Sequence, residues 1–133
     1  MARQAIFPDP NKESPGFSPA TRVGTTIHVS GQVAMDANGA LVGPGDCKAQ
    51  AEQCFKNIET ALKAAGATMD DLVKITCFLV NTSDYEAYAA VRRQRFPQNG
   101  PASSTVIIKA LVKPEFLIEI EGVAVLAGSA SAA

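Results

Sequence analysis

The sequence predicts an α+β domain in which two helices cover one face of a sheet. One long segment repeats apolar residues at the three-and-four spacing of a helix, and several short segments alternate or are rich in β-branched residues, as strands are. Their order along the chain, β-α-β-α-β-β, is typical of the α+β class. The chain has 133 residues, of which 47% are apolar and 19% charged. We therefore expect one domain with one hydrophobic core over residues 1–133.

The N-terminal part predicts little regular structure before the first strand. Residues 1–17 are rich in proline and glycine, and we expect them to run along the surface. Residues 26–30 alternate as a strand does, and Gly31 is expected to end that strand. Residues 36–39 form a predicted turn, because Asn-Gly favours positive φ.

The clearest helix is predicted over residues 47–65. Asp46 can cap the free amides of its first turn, and Gly66 suits the left-handed conformation that follows a helix. The predicted buried stripe consists of Cys47, Ala51, Cys54, Phe55, Ile58, Ala61, Leu62 and Ala65.

A second helix is predicted over residues 84–96. Ser83 and Glu86 have the spacing of a capping box, which marks the start of a helix. Pro97 marks its end, since the residue before a proline is disfavoured in the helical conformation.

Three further strands complete the predicted sheet. Residues 73–80 are rich in β-branched and aromatic residues, and residues 103–109 and 117–126 follow after the second helix. The tail at residues 127–133 is small and uncharged, and we expect it to be flexible.

The last strand carries the most informative alternation. Ile118 and Ile120 are expected to face the helices, so Glu119 and Glu121 share the other face with Cβ atoms ~7 Å apart. Two carboxylates on one face of a sheet are candidates either for chemistry or for an interface.

The second face of the sheet is expected to need a partner. If residues 103–109 pair antiparallel with the last strand, Ser103, Thr105 and Ile107 lie on the face of the glutamates. The exposed apolar patch expected there consists of Leu117, Ile107, Val123 and Phe78. Homo-oligomerisation with closed symmetry explains such a face, and clefts between subunits are natural ligand sites.

Charge and cysteine content restrict the class of function. Twelve Lys and Arg against thirteen Asp and Glu give a net charge of -1, which lacks the positive field of a nucleic-acid-binding protein. No segment approaches the ~20 apolar residues of a membrane span, and the start lacks the apolar stretch of a signal peptide. Three cysteines, an odd number without metal-ligand spacing, argue against a disulfide scaffold or a metal site. We expect a cytoplasmic protein that binds neither nucleic acid nor membrane.

Six short motifs occur together in a characteristic order. They are residues 29–32 (VSGQ), 57–58 (NI), 64–66 (AAG), 71–76 (DLVKIT), 101–106 (PASSTV) and 118–121 (IEIE). Together they resemble the RidA/YjgF family, also labelled endoribonuclease L-PSP, over about residues 16–125. The resemblance implies a chorismate-mutase-like mixed sheet packed on two helices, assembled as a homotrimeric barrel with small-molecule clefts between subunits. It also implies cofactor-independent hydrolysis of enamine or imine intermediates of amino acids to 2-keto acids and ammonia.

The resemblance assigns roles to five residues. Glu119 matches the glutamate that positions or activates the attacking water, and Thr105 matches the position whose backbone amide contacts the ligand. Ser30 and Gly31 match residues that line the same cleft. Phe17 stands where tyrosine is usual and is expected to form a cleft wall without the hydroxyl.

Ser103 departs from the family pattern. Active deaminases have Pro-Ala-Arg-Ser at this motif, and the arginine clamps the substrate carboxylate. A serine hydroxyl cannot replace the bidentate guanidinium, and loss of such a charged hydrogen bond is worth about 1.5–3 kcal/mol. Ala89 likewise replaces a common asparagine. We therefore expect a substrate other than 2-aminoacrylate, one that lacks the usual α-carboxylate or is larger and fills the space beside Ser103.

Alternative interpretations remain open at this point. Glu119 can be a structural carboxylate, His28 a packed or interface residue, and the basic residues of the second helix a solvated face. The whole protein can be a non-catalytic small-molecule-binding or regulatory trimer. Ribonuclease activity, which the older family label suggests, is disfavoured by the net charge.

Overall fold

A computed structural model describes residues 2–12 and 14–127, which form a six-stranded sheet and two α-helices. The predicted tail lies outside the described residues from residue 128 onward. The strand order across the sheet is β1-β2-β3-β6-β4-β5. The strands are β1 (Gln4–Ile6), β2 (Ala20–Val23), β3 (Thr26–Gln32), β4 (Leu72–Leu79), β5 (Ala102–Ile107) and β6 (Ile118–Val125), and the helices are α1 (Cys47–Ala64) and α2 (Tyr85–Arg95).

The predicted α+β class and the predicted core are confirmed. Every position of the expected α1 stripe is buried, and the helix packs on β3 and β6 while α2 packs beside it. Ile118 and Ile120 of β6 are fully buried against the helices, as the alternation predicted. Burial of this apolar face stabilises the fold by removing it from water.

The two helices begin in different ways. The backbone amide of Ala49 donates a 3.1 Å hydrogen bond to the Asp46 carboxylate, so the predicted cap of α1 is confirmed, and Gly66 has the expected positive φ. The capping box predicted at Ser83 and Glu86 is wrong. A 3-10 turn over Thr82–Asp84 runs directly into α2. Ser83 therefore lies inside that turn, and Asp84 rather than Ser83 is the N-cap residue of α2.

The predicted pairing of the last two strands is also wrong. β6 lies between β3 and β4 and is antiparallel to both, whereas β5 pairs parallel with β4 at the sheet edge. The physical reason is that α2 connects β4 to β5, and a helical crossover returns the chain in the same direction. Thr105 is therefore the register partner of the buried Cys77, and Ser103 that of Ile75.

The N-terminal region contains more sheet than the sequence predicted. β1 and β2 extend the sheet beyond β3, so the first residues are paired rather than only running along the surface. Gly31 does not end β3, because the strand continues to Gln32 through a shifted register between Val29 and Gln32. Such a bulge re-aims the backbone of residues 30 and 31.

The face of the sheet away from the helices is open in a single chain. Across it, Val106 of β5, Phe78 of β4 and Glu119 of β6 stand in register. Ile107 pairs with the buried Leu79 instead, so its expected place on this face is wrong. Neither described helix is long and apolar enough to cross a membrane.

Candidate functional site

Glu119 lies on the open face of the sheet at the beginning of β6. The side chain is half-buried, and its register partner in β4 is Phe78. Burial raises the pKa of the Glu119 carboxyl above its ordinary value, and the negative charge of Glu121 raises it further. A carboxyl group shifted in this way is better matched to proton transfer near neutral pH than an exposed one.

Gly31 supplies the surface on which the Glu119 carboxylate lies. A Cβ atom added at residue 31 would approach the carboxylate carbon to 2.7 Å and the Cγ atom to 3.1 Å. Real Cβ contacts do not tolerate such distances, so a side chain at position 31 would displace the carboxylate. The bulge in β3 and the absence of a side chain at Gly31 therefore determine where Glu119 lies.

Ser30, the neighbour of Gly31, is hydrogen-bonded to the segment before β2. Its hydroxyl donates a 2.6 Å hydrogen bond to the Ser18 carbonyl, and its amide donates one of 2.9 Å to the Pro19 carbonyl. Phe17 immediately precedes this anchored segment and is 62% exposed. We give the name glutamate half-site to Phe17, Ser30, Gly31 and Glu119. Gly31 contacts Glu119, and the hydrogen bonds of Ser30 hold the residues that follow Phe17.

Ser103 and Thr105 lie on the opposite face of the sheet from Glu119. Their register partners Ile75 and Cys77 are buried toward the helices, whereas Glu119 faces away from them. The expectation that Ser103 and Thr105 share the face of the glutamates is therefore wrong, because β5 pairs with β4 and not with β6. We call Ser103 and Thr105 the hydroxyl half-site; Ser103 is exposed and Thr105 half-buried at the sheet edge.

Two residues beside the hydroxyl half-site were missed by the sequence reasoning. Tyr88 is fully buried, and its hydroxyl makes no hydrogen bond of good geometry with any described residue. The Arg92 guanidinium lies over two rings, with its Cζ atom 5.1 Å from the centre of the Tyr88 ring and 5.8 Å from that of Tyr85. Spacings of three, four and seven residues on α2 were the signal that could have predicted this cluster.

The pKa of the Tyr88 hydroxyl depends on its burial and on three neighbouring side chains. Burial raises the pKa of the Tyr88 hydroxyl, and the Cys77 thiol adds to that effect. The Ser103 hydroxyl and the Arg92 guanidinium approach the same hydroxyl and act in the opposite direction. Tyr88 therefore stays a neutral phenol whose hydroxyl lies among the Ser103 hydroxyl, the Arg92 guanidinium and the Cys77 thiol.

Two further kinds of site, a metal-binding cluster and a reactive thiol, are absent among the described residues. Among residues 2–12 and 14–127, no group of three histidine, cysteine or acidic side chains is placed to hold a metal ion. All three cysteines are buried and unpaired, and burial raises the pKa of the Cys47 and Cys77 thiols to about 12. These thiols remain protonated and are poor nucleophiles.

Two hollows of about 680 and 300 Å³ lie away from both half-sites, one at the N-terminal arm around Phe7 and the other around Phe96. Glu119 is half-buried on the open face of the sheet, so a wall from outside the chain would enclose a ligand bound there.

Comparison with known proteins gives one consistent result. The sequence profile of the family described as Endoribonuclease L-PSP matches residues 10–126. A RutC family protein of Pyrococcus abyssi is 34% identical over 125 residues, which are 93% of this chain and 98% of that protein. The human 2-iminobutanoate/2-iminopropanoate deaminase is 36% identical over 109 residues, 82% of this chain and 79% of its own. The crystal structure of RidA from the Antarctic bacterium Psychrobacter sp. PAMC 21119 matches with a TM-score of 0.82 at 33% identity, covering 92% of this chain and 99% of that chain.

Proposed function

Because the chain belongs to the Endoribonuclease L-PSP family, the RidA/YjgF family that its motifs resemble, we propose that it is a hydrolase of small imine or enamine metabolites that needs no cofactor. The observation that carries the proposal is the half-buried Glu119 carboxylate lying on Gly31. Relatives named as 2-iminobutanoate/2-iminopropanoate deaminases support this class of reaction.

The proposed reaction adds water to a C=N bond. An enamine first moves a proton from nitrogen to carbon and becomes the imine. Glu119 accepts a proton from water as the oxygen attacks the imine carbon and gives that proton to the nitrogen, which yields a carbinolamine. Glu119 then accepts the hydroxyl proton of the carbinolamine and gives it to the nitrogen, so that the C–N bond breaks, the carbonyl forms and ammonia leaves. The raised pKa of Glu119 suits both directions of this transfer.

The proposed cleft is completed by a second copy of the chain in a homotrimer. Within one chain the two half-sites lie on opposite faces of the sheet, so they cannot act on one small molecule. In the proposed assembly, the Ser103 and Thr105 of one copy face the Glu119 of its neighbour. Exposed Val106 and half-buried Phe78 on the open face supply apolar area for such an interface. The Thr105 backbone amide and the Ser30–Gly31 backbone would hold the substrate, and Phe17 would close one side.

The proposed substrate differs from 2-aminoacrylate. Ser103 offers one exposed hydroxyl at the position where active deaminases have an arginine, so a small α-carboxylate finds no bidentate partner on β5. The substrate class is therefore an imine or enamine without that α-carboxylate, or a larger one that fills the space beside Ser103. We place this reaction in the cytoplasm, which is consistent with three unpaired thiols.

The test compares two glutamate variants on the same strand face. Imines are generated freshly from a panel of amino acids by an amino-acid oxidase and from a panel of primary amines by an amine oxidase, and their decay is followed with wild type, Glu119→Gln and Glu121→Gln at a pH above neutral. We expect wild type to hydrolyse at least one imine that is larger than 2-aminoacrylate or lacks its α-carboxylate, and Glu119→Gln to lose ~100-fold or more of that rate. Glu121→Gln, the matched control, should retain it. Full activity of Glu119→Gln, or rapid 2-aminoacrylate hydrolysis by wild type, would contradict the proposal.

A second candidate is a trimer that binds a small metabolite without chemistry. The exposed Ser103 hydroxyl and the buried, apolar Ala89 favour it, since both replace polar groups of the active deaminases. It predicts that a metabolite raises the melting temperature of wild type and of Glu119→Gln equally, and that no imine is turned over.

A further inference from the structure

Arg92 differs from Arg93 and Arg95, the other two arginines of α2, in its ionic partners. Arg93 lies 4.0 Å from the Glu86 carboxylate and Arg95 lies 3.3 Å from that of Glu59. In the described part of the chain, no carboxylate lies within salt-bridge distance of Arg92. The expected solvated face is therefore formed by Arg93 and Arg95, while the charge of Arg92 is left available.

The Arg92 guanidinium is held in a defined orientation. It lies over the rings of Tyr85 and Tyr88, and its Nη2 donates a 3.2 Å hydrogen bond to the Tyr85 hydroxyl. Cation–π contact and this hydrogen bond fix the plane of the fork without neutralising its charge. The side chain is half-buried, so part of the guanidinium is accessible to a ligand.

The Tyr88 hydroxyl is a second, independent sign of a ligand. The residue is fully buried, and its hydroxyl makes no hydrogen bond of good geometry with the described residues, although the Ser103 hydroxyl, the Arg92 guanidinium and the Cys77 thiol all approach it. Native proteins leave very few buried polar groups without a well-formed hydrogen bond, and exceptions call for an explanation. Ser103 is exposed, so the group that approaches this buried hydroxyl from the sheet edge is accessible to a ligand.

We propose that Arg92 binds the negatively charged group of the substrate, with Ser103 as its hydrogen-bonding neighbour and Tyr88 as the residue that positions both. This inference rests on the proposed function and narrows its substrate class. The Arg92 guanidinium and the Ser103 hydroxyl both approach the Tyr88 hydroxyl, so the positive charge lies near the space left by the short side chain of Ser103. The substrate is thus an anionic imine or enamine whose carboxylate extends past Ser103 to Arg92, larger than the three-carbon 2-aminoacrylate.

The experiment measures binding of stable keto acids, which resemble the reaction product. Calorimetry compares 5-oxohexanoate, whose carboxylate lies three methylene groups from the carbonyl carbon, its neutral amide and 2-oxobutanoate, whose carboxylate is bonded directly to the carbonyl carbon, on the full-length protein. The variants are Arg92→Gln, Arg92→Lys and the adjacent control Arg93→Gln, whose side chain is exposed and paired with Glu86. Melting temperatures are recorded beside each titration, so that loss of folding is recognised.

We expect wild type to prefer 5-oxohexanoate to its amide and to 2-oxobutanoate. Arg92→Gln should weaken 5-oxohexanoate binding by about 10- to 100-fold and leave the amide unchanged, because a charged hydrogen bond has about that effect. Arg92→Lys should lie between the two, and Arg93→Gln should match wild type. In turnover, Arg92→Gln should raise KM more than it lowers kcat. If Arg92→Gln fails to fold, the binding measured with Arg92→Lys tests the inference instead. That variant keeps the positive charge but loses the planar guanidinium, so it should bind the keto acid more weakly than wild type.

Equal binding of 5-oxohexanoate by wild type, folded Arg92→Gln and Arg92→Lys would overturn the inference. That result would leave the proposed function intact as long as Glu119→Gln still abolishes turnover. Conversely, Arg92-dependent binding without any turnover of imines would support the anion site and contradict the hydrolase. The two failures are therefore distinguishable.

Discussion

At the residue scale, the proposed chemistry depends on the contact between Glu119 and Gly31. The carboxylate is half-buried beside a second acid, an arrangement that favours its protonated form. A carboxylate kept only for stability would be expected to gain a cationic partner, but the salt bridges of the described residues involve Glu86 and Glu59 instead. A half-buried carboxyl group with a raised pKa is typical of a residue that transfers protons in a functional site.

The raised pKa predicts the pH dependence of the reaction. Glu119 must be ionised to accept a proton from water, so turnover should rise with pH through its raised pKa. Glu121→Gln removes the like charge that raises this pKa, so it should lower the pKa and move the acidic limb of kcat to lower pH. The measurement is the pH profile of imine turnover for wild type and Glu121→Gln. A limb that stays in place, or moves to higher pH, would show that Glu119 is not the titrating group.

Gly31→Ala tests the position of the carboxylate without removing it. The added Cβ would lie 2.7 Å from the carboxylate carbon, so the flexible end of the Glu119 side chain must move. We expect a loss of kcat with little change in melting temperature, because only that side chain has to shift. Imine turnover and thermal unfolding of wild type and Gly31→Ala check this prediction. A Gly31→Ala variant that keeps the wild-type kcat would mean that the contact does not govern the site.

Sequence reasoning identified some of these residues and not others, for physical reasons. The alternation of β6 was enough to place Glu119 opposite the buried isoleucines, because side chains in a strand alternate. The contact with Gly31 depends on a bulge, which leaves no clear sequence pattern. Tyr88 and Arg92 were read as core and solvated residues, since their spacing shows that they are neighbours but not that a hydroxyl stays unpaired.

At the element scale, α2 and β5 determine which face each half-site occupies. The helical crossover makes β5 parallel to β4 and turns Ser103 and Thr105 toward the helices. The bounds of β3 to β6 were predictable to within two residues from alternation and β-branched composition, whereas β1 and β2 were missed and the pairing partner of β5 required the connection to be considered. That single difference separates the two half-sites within one chain.

The different starts of the helices give a direct stability comparison. Asp46→Ala removes a side-chain cap on α1 and should lower the free energy of unfolding by about 1 kcal/mol. Ser83→Ala changes a residue inside a 3-10 turn that caps nothing, so it should cost less than about 0.5 kcal/mol. Urea unfolding of both variants is the check. A cost for Ser83→Ala as large as that for Asp46→Ala would show that the predicted capping box forms after all.

At the scale of the whole molecule, the proposed cleft belongs to the assembly rather than to the chain. Each copy would contribute its glutamate half-site to one neighbour and its hydroxyl half-site to the other, as closed rotational symmetry allows. Two variants that each damage a different half-site should therefore complement one another. Glu119→Gln damages the first, and Ser103→Trp fills the second at an exposed edge position without touching the first.

Imine turnover by co-refolded Glu119→Gln and Ser103→Trp chains tests the central claim most directly. Each variant alone should be inactive. Random mixing in equal amounts should restore about a quarter of the wild-type rate, since about one cleft in four then receives an intact residue from both copies. Mixed oligomers that form, as shown by native mass spectrometry, and yet remain inactive would contradict a site built by Glu119 and a neighbouring chain.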